Sequence, residues 1–160
     1  MKRIGKLLSA AWIMVIVIIG LEATMVLLGI SIGINPTKSQ PFRLFLILKK
    51  RPFSRGDLVA FRFPGSEYYS EGSLLVKEVR GMSGDRLEIR DSRTVWLNGR
   101  FLDTVRTTDS RGKAVEPFLF DGVIPEGYYF LYAPAPNSYD SRYYGLIDGK
   151  RIVGKAIPLF

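Results

Sequence analysis

Leu74-Leu75-Val76-Lys77-Glu78-Val79, closed by Gly81-Met82-Ser83-Gly84-Asp85, is the stretch from which the fold is read. Strand alternation puts Leu75, Lys77 and Val79 on one face and Val76 and Glu78 on the other. If Leu75 and Val79 face a core, Lys77 is carried inward with them. Working outward, the same grammar recurs: short apolar or alternating runs separated by Gly, Pro and Asp. Strands are predicted at Leu44–Leu48, Leu58–Arg62, Leu74–Val79, Arg86–Arg90, Thr94–Leu97, Tyr128–Ala133 and Arg151–Pro158. Turn residues fall between them at Arg55-Gly56-Asp57, Ser83-Gly84-Asp85, Asn98-Gly99 and Pro125-Glu126-Gly127. Residues 103–122, rich in Thr, Asp, Arg and Gly, read as an inserted hairpin or exposed loop. No helical periodicity stands out beyond residue 40, so the soluble part is expected to be mainly β.

Upstream of the strands, the run from Leu7 to Ile34 holds one strongly polar side chain, Glu22. That run exceeds the roughly 20 residues a bilayer core requires, and predicts a single N-terminal transmembrane helix. An acid at mid-helix costs on the order of 2.5–3.5 kcal/mol, which the surrounding apolar residues offset. A cleavable signal peptide fits less well, because cleavage after Ala23 would put Leu21 where a small residue is needed. The expected organisation is a short cytoplasmic N-terminus and anchor over residues 1–34, then an extracytoplasmic domain over 35–160. Lys2, Arg3 and Lys6 favour a cytoplasmic N-terminus. Lys38, Arg43, Lys49, Lys50 and Arg51, which argue the other way by charge alone, are expected to lie against anionic lipid headgroups.

The 160 residues carry a net charge of +8 with neither histidine nor cysteine. Zinc sites built from Cys and His are therefore excluded, as are a disulfide scaffold and histidine as a catalytic base. No metal or cofactor is expected. Nucleic acid is not an expected partner either, because the basic residues are scattered without a reading motif.

A serine nucleophile in such a chain needs another base. A desolvated lysine titrates near neutrality and can serve, which gives Lys77 a role; the competing reading is an edge-strand lysine that blocks aggregation. A candidate nucleophile stands in Asn35-Pro36-Thr37-Lys38-Ser39-Gln40-Pro41, directly after the apolar run. A polar cluster, Ser138-Tyr139-Asp140-Ser141-Arg142-Tyr143-Tyr144-Gly145, lies near the C-terminus.

Taken in order, the anchor, Ser39 with Pro41, Arg55-Gly56-Asp57-Leu58-Val59, Lys77 with Gly81-x-x-Gly84-Asp85, and Ser138-x-Asp140-Ser141-Arg142-Tyr143-x-Gly145 resemble the boxes of the membrane-bound type I signal peptidases, the Ser/Lys proteases. The heptapeptide around Ser39 is more similar to the conjugative-transfer, TraF-like pilin-maturation branch than to housekeeping members, which usually carry Ser-Met with proline one position later. The resemblance implies a signal-peptidase-like catalytic domain and a serine endopeptidase. It assigns Ser39 as nucleophile and Lys77 as base, with the Ser39 N–H and Thr37 hydroxyl as oxyanion donors. Ser138 would orient the lysine, and Asp140 and Arg142 would pair to hold the loop; a turn-capping role for Asp140 is the plainer alternative. Phe42, Leu44 and Val76 are candidate subsite residues for an extended substrate added beside the Lys77 strand.

The implied substrate is a prepilin or other exported preprotein, with association to secretion or conjugation machinery. The implied location is the bacterial inner membrane, catalytic domain on the periplasmic side. General signal-peptide removal is the alternative activity, and a noncatalytic membrane-anchored binding module is the alternative from another class.

Overall fold

The computed structural model describes residues 2–35 and 40–160, with side chains from Ala11 onward. A long helix, α1 (Lys2–Leu27), precedes eleven strands: β1 (Ile30–Ile34), β2 (Leu44–Lys49), β3 (Leu58–Arg62), β4 (Leu74–Gly81), β5 (Arg86–Arg90), β6 (Thr94–Leu97), β7 (Arg100–Thr104), β8 (Asp121–Val123), β9 (Tyr128–Tyr132), β10 (Ile147–Asp148) and β11 (Ile152–Pro158). A one-turn helix, α2 (Ser141–Tyr144), lies between β9 and β10. The domain beyond α1 is therefore strand-rich, and each of the seven predicted strands has its counterpart.

The apolar run does not stay helical to Ile34. α1 stops at Leu27, and Gly29 turns the chain with φ +68°, a region that glycine enters without steric cost. Ile30, Ile32 and Ile34 then alternate with Ser31 and Gly33, and β-branched residues at period two make a strand. β1 pairs antiparallel with β2, Ile34 opposite Leu44. Among the described residues no helix is long and apolar enough to cross a membrane.

Two sheets form the domain. The larger has strand order β1-β2-β11-β3-β4-β9-β10, and the smaller β7-β6-β5-β8. β11, from the end of the chain, enters antiparallel between β2 and β3, so the N-terminal hairpin joins the rest of the sheet only through the last strand. One face of the large sheet buries Val59, Phe61, Phe63, Val79 and Leu131; the other buries Phe45, Ile47, Ala60, Val76 and Ala156. A third cluster, with Leu87, Val95, Ile124, Phe130 and Tyr132, seats the small sheet against β9. The approach there is close. A Cβ built on Gly81 would stand 2.6 Å from Ile124 Cδ1 and 2.8 Å from Phe130 Cβ.

Residues 103–122 are not wholly a loop. They begin in β7 and end in β8, with a bridge between Thr108 and Ala114 closing the excursion. β8, β10 and the single turn α2 escape sequence reading because each is short, and β7 and β8 take their partners from a sheet whose existence no local pattern announces.

Candidate active site

β4 lies between β3 and β9, in the interior of the large sheet, which removes the edge-strand reading of Lys77. Lys77 sits opposite Val59 and shares its face with Leu75 and Val79, as the alternation requires. Only 3% of the residue is exposed. Val76, on the other face, is buried as well, because β4 is covered on both sides.

The Lys77 ammonium is removed from water, and burial lowers its pKa from the ordinary 10.5 to about 8; Asp140 pulls the value up and Arg142 down. Nζ donates a hydrogen bond of 2.9 Å to Ser138 Oγ, across 61 residues of chain. Ser138 is itself 2% exposed. A lysine so held has one N–H engaged and, once neutral, a lone pair aimed elsewhere.

Asp140 is fully buried and satisfies the neighbouring groups in several directions at once. Its carboxylate accepts from Arg142 Nε at 2.9 Å and Arg142 Nη2 at 2.8 Å, a bidentate fork, and from the Ala133 N–H at 3.1 Å. It also caps α2 by accepting from the Arg142 N–H. Asp140 thus both caps α2 and pairs with Arg142. Arg142 is paired with that carboxylate, and its own positive charge offsets part of the pull that Asp140 exerts on Lys77.

Three groups escaped the sequence reading. Asp103, on β7, receives Arg142 Nη1 at 2.6 Å and the Tyr132 hydroxyl at 2.7 Å. Burial and that bond to Asp103 push the Tyr132 phenol up to about 12. Ser141 Oγ accepts from the Leu131 N–H at 2.9 Å, stapling α2 to β9. Asp103 is 39 residues from Arg142 in a segment that reads as a loop, so no local signal links them.

Ser39 and Thr37 lie outside the described residues. Their segment is the connection between β1 and β2, and its flanks are tied: the Asn35 N–H donates to the Arg43 carbonyl at 2.8 Å. Gln40 is 8% exposed, and Phe42 meets Phe45 edge-on with ring centroids 6.3 Å apart. Phe42 and Val76 belong to the cluster on the sheet face opposite Lys77, whereas Leu44 precedes Phe45 on β2 and alternates to the other face.

The boxes around these residues serve as braces. Asp85, in the turn after β4, accepts from Arg55 Nη2 at 2.8 Å, Asn98 Nδ2 at 2.8 Å and the Met82 N–H at 2.7 Å. Burial opposes ionisation of Asp85, yet those donors outweigh it and hold the carboxyl below its usual range. Asp57 takes Lys155 Nζ at 2.8 Å, locking the turn before β3 to β11. The Arg-Gly-Asp triplet is thus spent on internal ion pairs. Among the described residues no group of three or more metal-ligating side chains gathers.

The signal peptidase family, peptidase S26, matches residues 3–160. This chain belongs to that family. Membership implies serine peptidase activity and a precursor substrate. Conjugal transfer protein TraF of Agrobacterium fabrum (strain C58 / ATCC 33970) is 35% identical over 143 residues, covering 79% of this chain and 81% of the relative. Conjugal transfer protein TraF of Agrobacterium tumefaciens (strain 15955) is 32% identical over 145 residues, with the same coverages. A crystal structure of a signal peptidase I from Enterococcus faecalis V583 is 25% identical, covers 66% of this chain and 97% of its own, and has a TM-score of 0.44.

Proposed function

We propose that the protein is a membrane-anchored serine endopeptidase with a Ser39/Lys77 dyad that processes an exported precursor for conjugation, a pilin precursor in the first instance. The observation that carries this reading is Lys77, buried on an interior strand, titrating near 8 and oriented by Ser138. Its neutral amine takes the proton of Ser39 Oγ as that oxygen attacks the scissile carbonyl, and the amine returns the proton to the leaving nitrogen, giving an acyl-enzyme. The Ser39 N–H and Thr37 hydroxyl stabilise the oxyanion, each such donor being worth about 2.7–4 kcal/mol in the transition state. Asp140, Arg142 and Asp103 fix the loop that carries Ser138. Water then deacylates the enzyme, or the precursor's own amine does so and cyclises the product.

α1 serves as the anchor in this reading. What supports it is a 26-residue helix, about 39 Å long, whose successive side chains Trp12, Ile16 and Ile19 are 68%, 65% and 59% exposed and cover no protein. The Gly29 carbonyl accepts from the Lys49 N–H at 2.8 Å, which sets Lys49, Lys50 and Arg51 beside the helix exit, where anionic headgroups would be. The domain is then periplasmic.

The test is co-expression with candidate prepilins and intact-mass analysis. Ser39→Ala and Lys77→Ala should each abolish processing while the protein still inserts; full activity of Lys77→Ala would sink the dyad. A product lighter by one water than the hydrolysed peptide identifies cyclisation.

A further inference from the structure

The excursion between β7 and β8 is left without a role by the dyad, yet it forms one wall of a cleft of about 270 Å³. The facing wall is the β3–β4 connection, and the two rims are tied by Tyr68 Oη donating to Asp109 at 3.2 Å and by the Lys113–Glu67 ion pair. The floor includes Ser138, so the cleft opens one side chain away from Lys77. Its sides are built for a specific kind of occupant. Tyr68, Tyr139 and Tyr143 form a column of rings with centroids 4.7 and 5.8 Å apart. Arg106 and Arg111 bring positive charge. The acid of the cleft, Asp109, is consumed: it accepts from the Arg111 and Lys113 N–H groups as well as from Tyr68. Arg106 leans on Asn137 Oδ1 at 3.0 Å, next to Ser138. The exposed Arg111 guanidinium makes no hydrogen bond or ion pair among the described residues, and its charge acts on Asp109 from a distance. Two guanidinium groups against one carboxylate leave the cleft lining net cationic.

We infer that this cleft is a specificity subsite for a precursor carboxylate close to the scissile bond, an acidic side chain or a chain terminus, seated against the tyrosine column with Arg111 as its counter-charge. The inference rests on the proposed location of the chemistry at Lys77. Planar guanidinium recognises carboxylate by paired N–H donors, and the aromatic wall lowers competition from water.

Binding separates the subsite from the dyad. The probes are fluorescein-labelled alanine- and serine-rich dodecapeptides, each carrying Glu, Gln or Lys at one scanned position and ending in a free carboxylate or an amide. They are titrated into full-length Ser39→Ala protein in nanodiscs. Glu should bind about tenfold tighter than Gln at one position, or the free terminus tighter than the amide, and the arm that responds identifies the source of the carboxylate. Arg111→Glu should reverse the preference toward Lys at that position, and Arg111→Lys should retain part of it. Equal binding of all peptides, or a Glu preference that survives Arg111→Glu, overturns the subsite. With wild-type protein the same change should raise KM for acidic substrates and spare kcat. If Lys77→Ala remains active while the carboxylate preference persists, the dyad fails and the subsite stands.

Discussion

The two sheets differ in how far the chain must travel to close them. The small sheet is local, with β5, β6 and β7 following one another as hairpins and β8 added to one edge. Its polar decoration is exposed: Arg86, whose side chain is 53% accessible, bridges to Glu88 and Asp121. The large sheet is closed by β11 from the chain end, and its ion pair Lys155–Asp57 spans 98 residues. Inside it stands a lysine with almost no solvent contact. A local hairpin sheet leaves one face wet, whereas an interior strand covered on both faces can keep an amine dry and so shift its pKa. The proposed base belongs to the sheet that is harder to build, and the small sheet contributes a brace, Asp103, and one wall of the cleft.

The largest test of that contrast is Lys77→Met. In the large sheet it should lower turnover by about 10³-fold or more with the fold retained, measured with a fluorogenic precursor peptide beside circular dichroism. In the intact protein activity should climb with pH through about 8 as the amine loses its proton. Stability carries the same signature. Lys77 has a folded pKa of about 8 against an ordinary 10.5, so between those values the unfolded chain binds more protons and stability rises with pH, by roughly 3 kcal/mol in all. Urea titrations across that window should find the rise in wild type and not in Lys77→Met. An unchanged slope in the variant would remove the dry lysine from the argument.

Asp140→Ala comes next. It strands the buried Arg142 guanidinium and should cost about 3–5 kcal/mol by urea unfolding. Asp103→Ala, on the small-sheet side of the same guanidinium, should cost less, because the Asp140 fork survives. Equal losses would mean that the small sheet is more than a brace. Gly81→Ala probes the seam between the sheets: its methyl would meet Ile124 and Phe130, and a loss of about 1–3 kcal/mol in thermal unfolding is expected. The smallest effect belongs to the exposed ion pairs. Arg86→Ala should leave the unfolding midpoint unmoved, and a clear shift would show that the small sheet relies on its charges after all.

Much of this was legible one strand at a time. The alternation around Lys77 announced both the strand and the inward lysine, and the family resemblance supplied the pairing of Asp140 with Arg142. Ile30 to Ile34 misled, because an apolar run gives the same composition whether it continues a helix or starts a strand, and one glycine decided between them. Asp103 and Tyr132 were invisible as partners of Arg142, since nothing local couples β7 to α2. The excursion from β7 to β8 was recognised as an insertion, but its contribution to a cleft depends on the opposite rim at Tyr68.

By itself, the sequence determined the alphabet of the chemistry. With no histidine or cysteine, a serine in this chain has only a lysine or a carboxylate to turn to, and the resemblance carried by the order of the boxes points to Ser39 and Lys77. Only the tertiary structure decided that Lys77 is dry and titrates low. Its low pKa comes from burial at an interior position between β3 and β9, with Arg142 helping and Asp140 opposing, while a hydroxyl from 61 residues away holds the amine in place. Desolvation is a property of everything packed around an atom, and no stretch of chain contains its own surroundings.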